Sequence, residues 1–381
     1  MRIINFVVSR IIIFLRIKKN WHKPIQSRVL IYDHVFSEVF SKYIDKNITE
    51  VYHNRFDETS LINFYIVFKC FLDFDFKLKK YKEKYFKCVN PKIIISIDDN
   101  NLSFYKLKKK FPDIVFIAIQ KSWKYDTEFD IIHKRHFYNN NNEFYCDFLF
   151  CYNKHVAEEY LKFIKVKKVF YIGSFKSNSV KIERNKKKKI IFISQWRNYP
   201  KNLRYHKNIT FGDWQKNETP FLQKLSKFLL KQSIKIIVLG KNKVLEEKKY
   251  YDKIFKNNYT FVPQYYKRQH YKILDSSILA ISLDSTLGYE NLSRGNRTIF
   301  FSIRSNKKKN FEMLRFLWPE KKKKIGPNWT NKITTKEFER LFLVKDMPHK
   351  DWKKIINDNF KNSILYDKNN KQFSGLINKL N

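Results

Sequence analysis

The segment between Asp284 and Glu290 carries the residue types of an anion-binding loop. It follows the apolar run Ile278–Leu283, which is predicted to be a strand, and Ser285 and Thr286 favour the start of a helix. Their hydroxyls and the exposed N–H groups of a helix start could bind an anion such as a diphosphate. Glu290 lies one turn further on, where its carboxylate could accept hydrogen bonds from ribose hydroxyls. A capped helix without a ligand is the alternative interpretation of the same residues.

Polar and glycine residues also follow the other predicted strands. In an open α/β sheet, ligands bind outside the carboxyl ends of the strands. The residues at or just beyond such ends are Asp33, His34, Asp98, Asp99, Asn100 and Gln120 in the first half, and Arg197, Gly240, Lys241, Asp284 and Gly288 in the second. They are the candidates for a site. Two alternatives stay open: Arg197 and Lys241 as exposed surface charges, and Asp99 as the cap of a helix predicted from Leu102.

The positions of the glycines restrict the nucleotide-binding motifs that the chain could contain. The first of the seven glycines is Gly173. Neither a GxGxxG fingerprint nor a Walker A loop can therefore precede that residue. This disfavours a dehydrogenase and a P-loop NTPase, and phosphate binding by glycine-rich backbone would have to use the second half of the chain.

The elements that position these residues are strands that alternate with helices. The clearest strand, residues 92–98, is a β-branched run of the kind buried on both faces of a parallel sheet. The alternation pauses at a polar, basic stretch and restarts at Ile190, which predicts two doubly wound, Rossmann-like α/β domains that face a cleft. The predicted boundaries are an N-terminal amphipathic helix at 1–24, an N-terminal domain at 25–175, a linker at 176–189, a C-terminal domain at 190–345 and closing C-terminal helices at 346–381.

Residues 1–24 differ in character from the rest of the chain. The run Ile3–Ile17 is almost wholly apolar, and on a helical wheel one sector collects Arg2, Asn5, Ser9 and Arg16. This pattern favours a helix that lies in a membrane interface, with its basic residues against anionic lipid headgroups. A helix docked on the protein's own core is one alternative. A secretory signal is the other, although no small-residue cleavage site precedes Trp21.

The composition narrows the class of protein. The formal net charge is +42, which suggests a polyanionic partner, yet the lysines are spread through every segment and fit a compositional bias toward AT-rich codons equally well. No uncharged apolar run reaches the ~18 residues of a membrane-spanning helix. The four cysteines lack CxxC spacing, which disfavours a zinc site and a disulfide framework and is typical of a reduced, cytosolic protein.

Three segments carry a resemblance to known proteins. Residues 281–296 (ISLDSTLGYENLSRGN) resemble the donor-binding strand, loop and helix of GT-B-fold glycosyltransferases. Residues 94–122 are similar to a narrower group, the bacterial surface-carbohydrate or O-antigen biosynthesis proteins, and Ile193–Arg197 (ISQWR) fits that group too. The resemblance covers most of residues 28–305. The chain departs from the pattern at its first strand–helix loop, which lacks glycine, and at Ser122, where glycine is expected.

The resemblance implies a GT-B-like glycosyltransferase of surface polysaccharide assembly, such as O-antigen or capsule. It would transfer a sugar from a nucleotide-sugar donor to a lipid-linked or saccharide acceptor, without a metal or a cofactor. The implied location is cytoplasmic, peripheral on the inner face of the cell membrane, with residues 1–20 against the anionic surface.

The resemblance also implies roles for the candidate residues. The implied donor-binding residues are Arg197, Gly240, Lys241, Asp284, Ser285, Thr286, Gly288 and Glu290, with Arg197 and Lys241 stabilising the leaving diphosphate. The implied acceptor base is one of Asp33, His34, Asp98 and Asp99, with Asn100 and Gln120 on the acceptor side. Two alternatives stay open. One is a nucleotide-sugar epimerase of the same architecture; the other is a basic nucleic-acid-binding protein, although no RRM, KH or arginine-rich pattern is present.

Overall fold

The chain forms two parallel sheets of six strands each, with helices on both faces. The structure, a computed structural model, describes residues 14–35, 37–54, 60–75, 77–125, 129, 144–183, 189–206, 209–241, 245–263, 269–304, 316–320 and 322–380. The predicted α/β class and the two separate doubly wound sheets are confirmed. No described helix is long and apolar enough to cross a lipid bilayer.

The N-terminal sheet is parallel throughout. In spatial order its strands are Thr49–Val51, Val29–Ile31, Ile93–Ser96, Val115–Ile119, Phe144–Cys151 and Ile164–Tyr171. The strand order reverses between Val29–Ile31 and Ile93–Ser96, and every residue of these two strands is buried. Burial on both faces explains why β-branched residues dominate both segments. Ligands of such sheets bind beyond the point of reversal.

The C-terminal sheet is also parallel throughout. In spatial order its strands are Tyr259–Val262, Ile236–Leu239, Lys189–Ile193, Ser277–Ser282, Thr298–Phe301 and Trp329–Thr330. This is the strand order of a dinucleotide-binding Rossmann fold, and it reverses between Lys189–Ile193 and Ser277–Ser282. The loops after these two strands therefore flank the expected ligand position.

Helices cover both faces of each sheet and complete a hydrophobic core on either side. The α-helices are Phe64–Leu72, Leu78–Val89, Leu102–Lys110, Lys154–Leu161, Phe175–Asn178, Phe211–Gln215, Glu218–Lys231, Leu245–Phe255, Gln269–Asp275, Thr286–Ser293, Thr335–Phe342, His349–Phe360 and Lys371–Leu380. Short 3-10 segments are Ser37–Lys42, Lys46–Ile48, Leu343–Lys345 and Lys368–Asn370. Two small ladders join Lys18–Asn20 to Leu61–Asn63 and Arg204–His206 to Ile209–Thr210.

The last helix, Lys371–Leu380, packs on the N-terminal sheet. Its Phe373 and Ile377 are fully buried in the core beside Phe150 and Phe175. The guanidinium of Arg28 donates a hydrogen bond to the carbonyl of Leu380 at 2.7 Å. The final element of the chain is therefore part of the first domain.

The polar stretch predicted as a linker is partly packed onto the C-terminal domain. Ser177 and Val180 are buried, and the guanidinium of Arg294 donates to their carbonyls at 3.1 and 3.0 Å. Arg294 also forms a fully buried ion pair with Asp275 at 2.5 Å. The carbonyls of this stretch thus accept hydrogen bonds from a guanidinium of the C-terminal domain.

Three segments differ from the sequence-based expectation. The strongly apolar segment 61–74 predicts a helix, but the helix starts only at Phe64, because Asn63 caps it by accepting the N–H of Ile66 at 3.0 Å. No helix was predicted over Leu78–Val89, whose buried residues at 82, 85, 86 and 89 form a helical stripe between lysines. Of the helix predicted at 1–24, residues 1–13 lie outside the described part. Residues 14–16 are helical, and Lys18–Asn20 form a strand instead of continuing the helix.

Candidate active site

The carboxyl ends of the two sheets face each other across the domain boundary. Trp123, in a loop that follows an N-terminal strand, donates its backbone N–H to Thr286 Oγ1 at 3.2 Å. Thr286 begins the helix that follows strand Ser277–Ser282 of the other domain. The ring of Trp123 also stacks on Tyr289, with centroids 4.3 Å apart. A loop at the carboxyl edge of the N-terminal sheet and a helix start at the carboxyl edge of the C-terminal sheet therefore meet at the domain boundary.

The loop predicted to bind a diphosphate starts a helix, as expected. Ser285 is the N-cap of helix Thr286–Ser293, and its Oγ accepts the N–H of Leu287 at 3.3 Å. The hydroxyl of Tyr125 donates to the carbonyl of Asp284. In this conformation the Ser285 and Thr286 hydroxyls bond within the protein, so their role toward a ligand stays a prediction.

Glu290 is buried at the boundary between the domains, whereas a ribose-binding carboxylate is expected to face an open cleft. Its Oε1 accepts hydrogen bonds from Tyr152 at 3.1 Å and from Ser174 at 2.6 Å, and its Oε2 accepts one from Tyr271 at 2.9 Å. Both carboxylate oxygens are thus used by hydroxyls, two of which belong to the N-terminal side. A ribose could bind Glu290 only after these contacts rearrange, and the ribose role stays a prediction.

Two glycines predicted to lie in the donor site are required by packing. A Cβ on Gly288 would lie 2.4 Å from Ser282 Oγ, and one on Gly240 would lie 2.6 Å from the ring of Phe261. Both distances are shorter than any van der Waals contact. Glycine at these positions therefore allows a helix or loop to approach its neighbouring strand closely.

The variant Gly288→Ala tests the packing explanation. We expect it to lower the free energy of unfolding by about 1–3 kcal/mol, because the added methyl overlaps Ser282. The control is Gly375→Ala, where no atom lies within 4 Å of the added Cβ and alanine favours the helix. Urea unfolding of both variants measures the effect. Equal stability of the two variants would contradict the packing role of Gly288.

Basic side chains collect at the carboxyl edge of the C-terminal sheet. Buried Arg304, which follows strand Thr298–Phe301, pairs through Nε with Asp284 at 2.7 Å and through Nη2 with Glu218 at 2.8 Å. Lys241 follows strand Ile236–Leu239, which lies on the other side of the reversal point, and its backbone N–H donates to Glu247 at 2.9 Å. This edge therefore carries a network of basic and acidic groups.

The electrostatics around Lys241 distinguish it from a surface lysine. The pKa of its ammonium is lowered to about 8. Burial is the main cause, and the positive charges of Arg197 and Arg304 add to it against the opposing effects of Asp284 and Glu247. A buried ammonium with cationic neighbours is stabilised by an added anion. Arg197 is half-buried and acts on Lys241 through its charge. These two predicted residues thus lie at the same edge of the sheet.

The N-terminal reversal point carries two stacked histidines. The rings of His34 and His53 lie 4.4 Å apart with an interplanar angle of 16°. Buried Asp33 accepts the N–H of Val35 at 3.0 Å, and its Oδ1 lies 3.4 Å from His34 Nδ1. Asp98, at the end of the adjacent strand, is half-buried. Three of the four predicted base candidates therefore lie at adjoining strand ends.

The fourth base candidate, Asp99, is held in a buried ion pair. Its Oδ2 lies 2.9 Å from Lys124 Nζ, both side chains are fully buried, and the hydroxyl of Tyr160 donates to the same carboxylate. The helix that Asp99 was alternatively predicted to cap is capped by Asn101. Asp99 therefore holds the loop that contains Lys124.

The two residues predicted on the acceptor side serve the same loop. Asn100 accepts a hydrogen bond from Lys124 at 2.9 Å. Buried Gln120 donates to the carbonyl of Ser122 at 2.9 Å and accepts the N–H of Tyr152 at 2.9 Å. Their contact with an acceptor stays a prediction.

Several residues of this region were missed in the sequence. They are His53, Lys124, Glu218, Glu247 and Arg304. His53 and Arg304 each lie within three residues of a strand end, so they could have been found by including every polar residue that follows a predicted strand. Nothing local identifies Lys124, Glu218 and Glu247, whose partners are distant in sequence. Within the described residues, no group of three or more His, Cys, Asp or Glu side chains is arranged to hold a metal ion.

Comparison with known proteins identifies relatives of the sequence and of the fold. A family model described as "putative O-antigen biosynthesis protein" matches residues 115–381. No curated protein matches the sequence. The solved structure of the wall teichoic acid polymerase TagF is similar, with 10% identity, coverage of 93% of this chain and 89% of that chain, and a TM-score of 0.54. The UDP-GlcNAc 2-epimerase from Neisseria meningitidis bound to UDP-GlcNAc has 11% identity, coverage of 93% and 99%, and a TM-score of 0.51. These likenesses confirm a GT-B-like fold.

Proposed function

Because the chain belongs to the O-antigen biosynthesis protein family, we propose that it is a glycosyltransferase of bacterial surface polysaccharide assembly. It transfers a sugar from a nucleotide-sugar donor on the C-terminal domain to a lipid-linked or saccharide acceptor on the N-terminal domain. One observation carries this proposal: a loop at the carboxyl edge of the N-terminal sheet contacts the helix start beyond the C-terminal reversal point, and the two carboxyl edges differ in charge. The C-terminal edge has basic residues, and the N-terminal edge has histidines and carboxylates. No cofactor or nucleic acid takes part.

The donor diphosphate binds near Lys241 and Arg197. Charge stabilisation of the leaving diphosphate is what a glycosyl transfer requires, and a buried ammonium with cationic neighbours suits that charge. Two proteins of similar fold support the class of ligand, since their structures are described with UDP-GlcNAc and after a soak with CDPG. When the interdomain hydrogen bonds open, the donor also contacts Asp284, Ser285, Thr286 and Glu290.

His34 is the acceptor base in this proposal. Asp99 is committed to Lys124, and Asp33 is buried beneath the histidine, whereas the side chain of His34 keeps 12% of its surface exposed. Asp33 stabilises the imidazolium that forms when His34 takes the proton of the acceptor hydroxyl. The sugar C1–O bond to the diphosphate breaks as the bond to the acceptor oxygen forms.

The protein acts at the cytoplasmic face of the membrane, where residues 1–20 contact anionic lipid. A lipid-linked acceptor lies at that surface, and the basic, apolar sequence of residues 1–20 suits it.

An assay of the reaction itself tests the proposed function. Purified protein is incubated with nucleotide sugars and lipid-linked saccharides, and mass spectrometry should detect an extended acceptor together with a free nucleoside diphosphate. An isomerised nucleotide sugar formed without acceptor would instead identify an epimerase.

The pH dependence of donor binding tests the role of Lys241. The diphosphate of a nucleotide sugar stays fully ionised from pH 6 to 9, so a change in affinity over this range reports on the protein. Since the pKa of Lys241 is about 8, its charge and the affinity are present below that pH. We expect the affinity to fall by about tenfold or more as the pH rises through 8. Isothermal titration calorimetry measures the effect.

Two variants complete that experiment. Lys241→Arg keeps its charge over the whole range and should flatten the pH profile. Lys241→Met should bind weakly at every pH, with no break near 8. A break that persists in both variants would show that another group controls donor binding.

A further inference from the structure

The N-terminal domain exposes a group of large apolar side chains on one surface. We call this surface the apolar face; its members are Phe14, Leu15, Trp21, Phe68, Phe71, Leu72 and Phe74. Phe68 is 59% exposed and Phe74 is 83% exposed. Single exposed apolar residues are ordinary, but a contiguous group marks a contact surface.

The helix Phe64–Leu72 is the centre of the apolar face. Its sequence, FYIVFKCFL, is apolar all round except at Lys69. Ile66 and Cys70 are buried against the domain, whereas Phe68, Phe71 and Leu72 point away from it. A helix that is apolar on every side normally lies within a protein core or a membrane. Here the protein covers only one of the two apolar sides.

Neighbouring segments extend the apolar face in both directions along this helix. The ring of Trp21 lies 4.4 Å from that of Phe64, and Phe14 lies 6.5 Å from the same ring. At the other end, Phe71 and Phe74 are 6.2 Å apart. The pairing of Lys18–Asn20 with Leu61–Asn63 fixes these segments side by side. The surface is therefore continuous and built on regular structure.

The charges around the apolar face are mainly positive. Among the described residues of 14–25 and 61–80, the basic ones are Arg16, Lys18, Lys19, Lys23, Lys69, Lys77, Lys79 and Lys80, and the acidic ones are Asp73 and Asp75. Asp73 is paired with Lys84. An apolar surface with a lysine rim complements an anionic bilayer, in which apolar groups enter the acyl region and ammonium groups meet phosphates.

We propose that the apolar face inserts into the surface of an anionic lipid bilayer. The proposal goes beyond the membrane contact of residues 1–20, since it assigns a second, folded contact centred on helix Phe64–Leu72. Trp21 is exposed on the face, and its indole ring suits the membrane–water interface. The contact turns the acceptor-side domain toward the membrane.

Sedimentation with phospholipid vesicles tests this contact on the full chain. The variant Phe68→Ser/Phe71→Ser/Phe74→Ser removes three exposed rings and should weaken binding to phosphatidylcholine–phosphatidylglycerol vesicles by at least about tenfold. The matched control is Leu230→Ser/Leu245→Ser/Leu343→Ser, which removes three exposed leucines of the other domain. It should bind like wild type. Equal binding of the two variants would overturn the proposal.

The lipid dependence and the insertion depth distinguish a bilayer from other occupants. Binding of the wild type should need phosphatidylglycerol and weaken with added salt. In a Phe74→Trp variant, brominated lipids should quench more fluorescence than in wild type, whereas Leu343→Trp should add no quenching. No added quenching at position 74 would mean that residues 1–13 or another protein surface covers the face. Wild-type dimers that dissociate in the triple-serine variant would show that a second copy covers it. Either result would overturn the proposal. Neither result depends on whether the protein transfers a sugar.

Discussion

Replacing His34 by asparagine should lower kcat for glycosyl transfer by about 10²–10⁴-fold, which is the range that a lost general base accounts for. Asparagine keeps the size and a polar group of the side chain but cannot take the proton of the acceptor hydroxyl. The donor binds the opposite domain, so its Kd should change by less than about threefold. Stopped assays of product formation and calorimetric titration of the donor measure the two quantities.

Three further variants serve as comparisons in this experiment. His349 is exposed at the start of helix His349–Phe360 in the other domain, and His349→Asn should leave kcat unchanged. His53→Asn removes the ring stacked on His34 and should reduce kcat less than the loss of His34 does. If Asp98→Asn abolished turnover while His34→Asn kept it, the base would be Asp98 and our assignment would be wrong.

Replacing Arg294 by methionine should lower the free energy of unfolding by about 3–5 kcal/mol, because it leaves the Asp275 carboxylate buried without its cation. The substitution also removes the donors to the carbonyls of Ser177, Val180 and Lys181. Equilibrium unfolding in urea, followed by circular dichroism, measures the loss.

The size of this effect separates a buried ion pair from an exposed one. Lys248 and Asp252 are each more than two-fifths exposed, so Lys248→Met should cost less than about 0.5 kcal/mol. The double variant Arg294→Met/Asp275→Asn should recover part of the loss, since it removes the unpaired charge. A loss in Arg294→Met no larger than that in Lys248→Met would contradict the importance of the buried pair.

Strand ends are predicted well from the sequence, because each buried strand of a parallel sheet is a short apolar run that can be recognised by itself. Runs such as Ile93–Ser96 are buried on both faces, so their composition alone identifies them, and the polar residues that follow must lie at one edge. This reasoning placed Asp33, His34 and Lys241 correctly at strand ends. It also found the helix start at Ser285, where the capping residue is next to the helix it caps.

Contacts between side chains that are far apart in the sequence are predicted poorly. Asp99 was read as a base or a cap, but it is neutralised by Lys124, which another loop contributes. Glu290 was expected to face a ligand, but hydroxyls of Tyr152, Ser174 and Tyr271 surround it. The basic stretch 176–189 is predicted to be a linker, because nothing in it indicates that Arg294 donates to its carbonyls. Partner choice in such cases is set by tertiary packing.

The position of helix Lys371–Leu380 has a consequence for the order of folding during translation. The core of the N-terminal domain includes Phe373 and Ile377. The first residues of this domain therefore leave the ribosome long before its last helix has been synthesised. The strands of the N-terminal sheet all lie before residue 172, and those of the C-terminal sheet lie between residues 189 and 330. The domain that is synthesised first can therefore form its sheet first, but it must wait with one core face uncovered until the second domain has been synthesised.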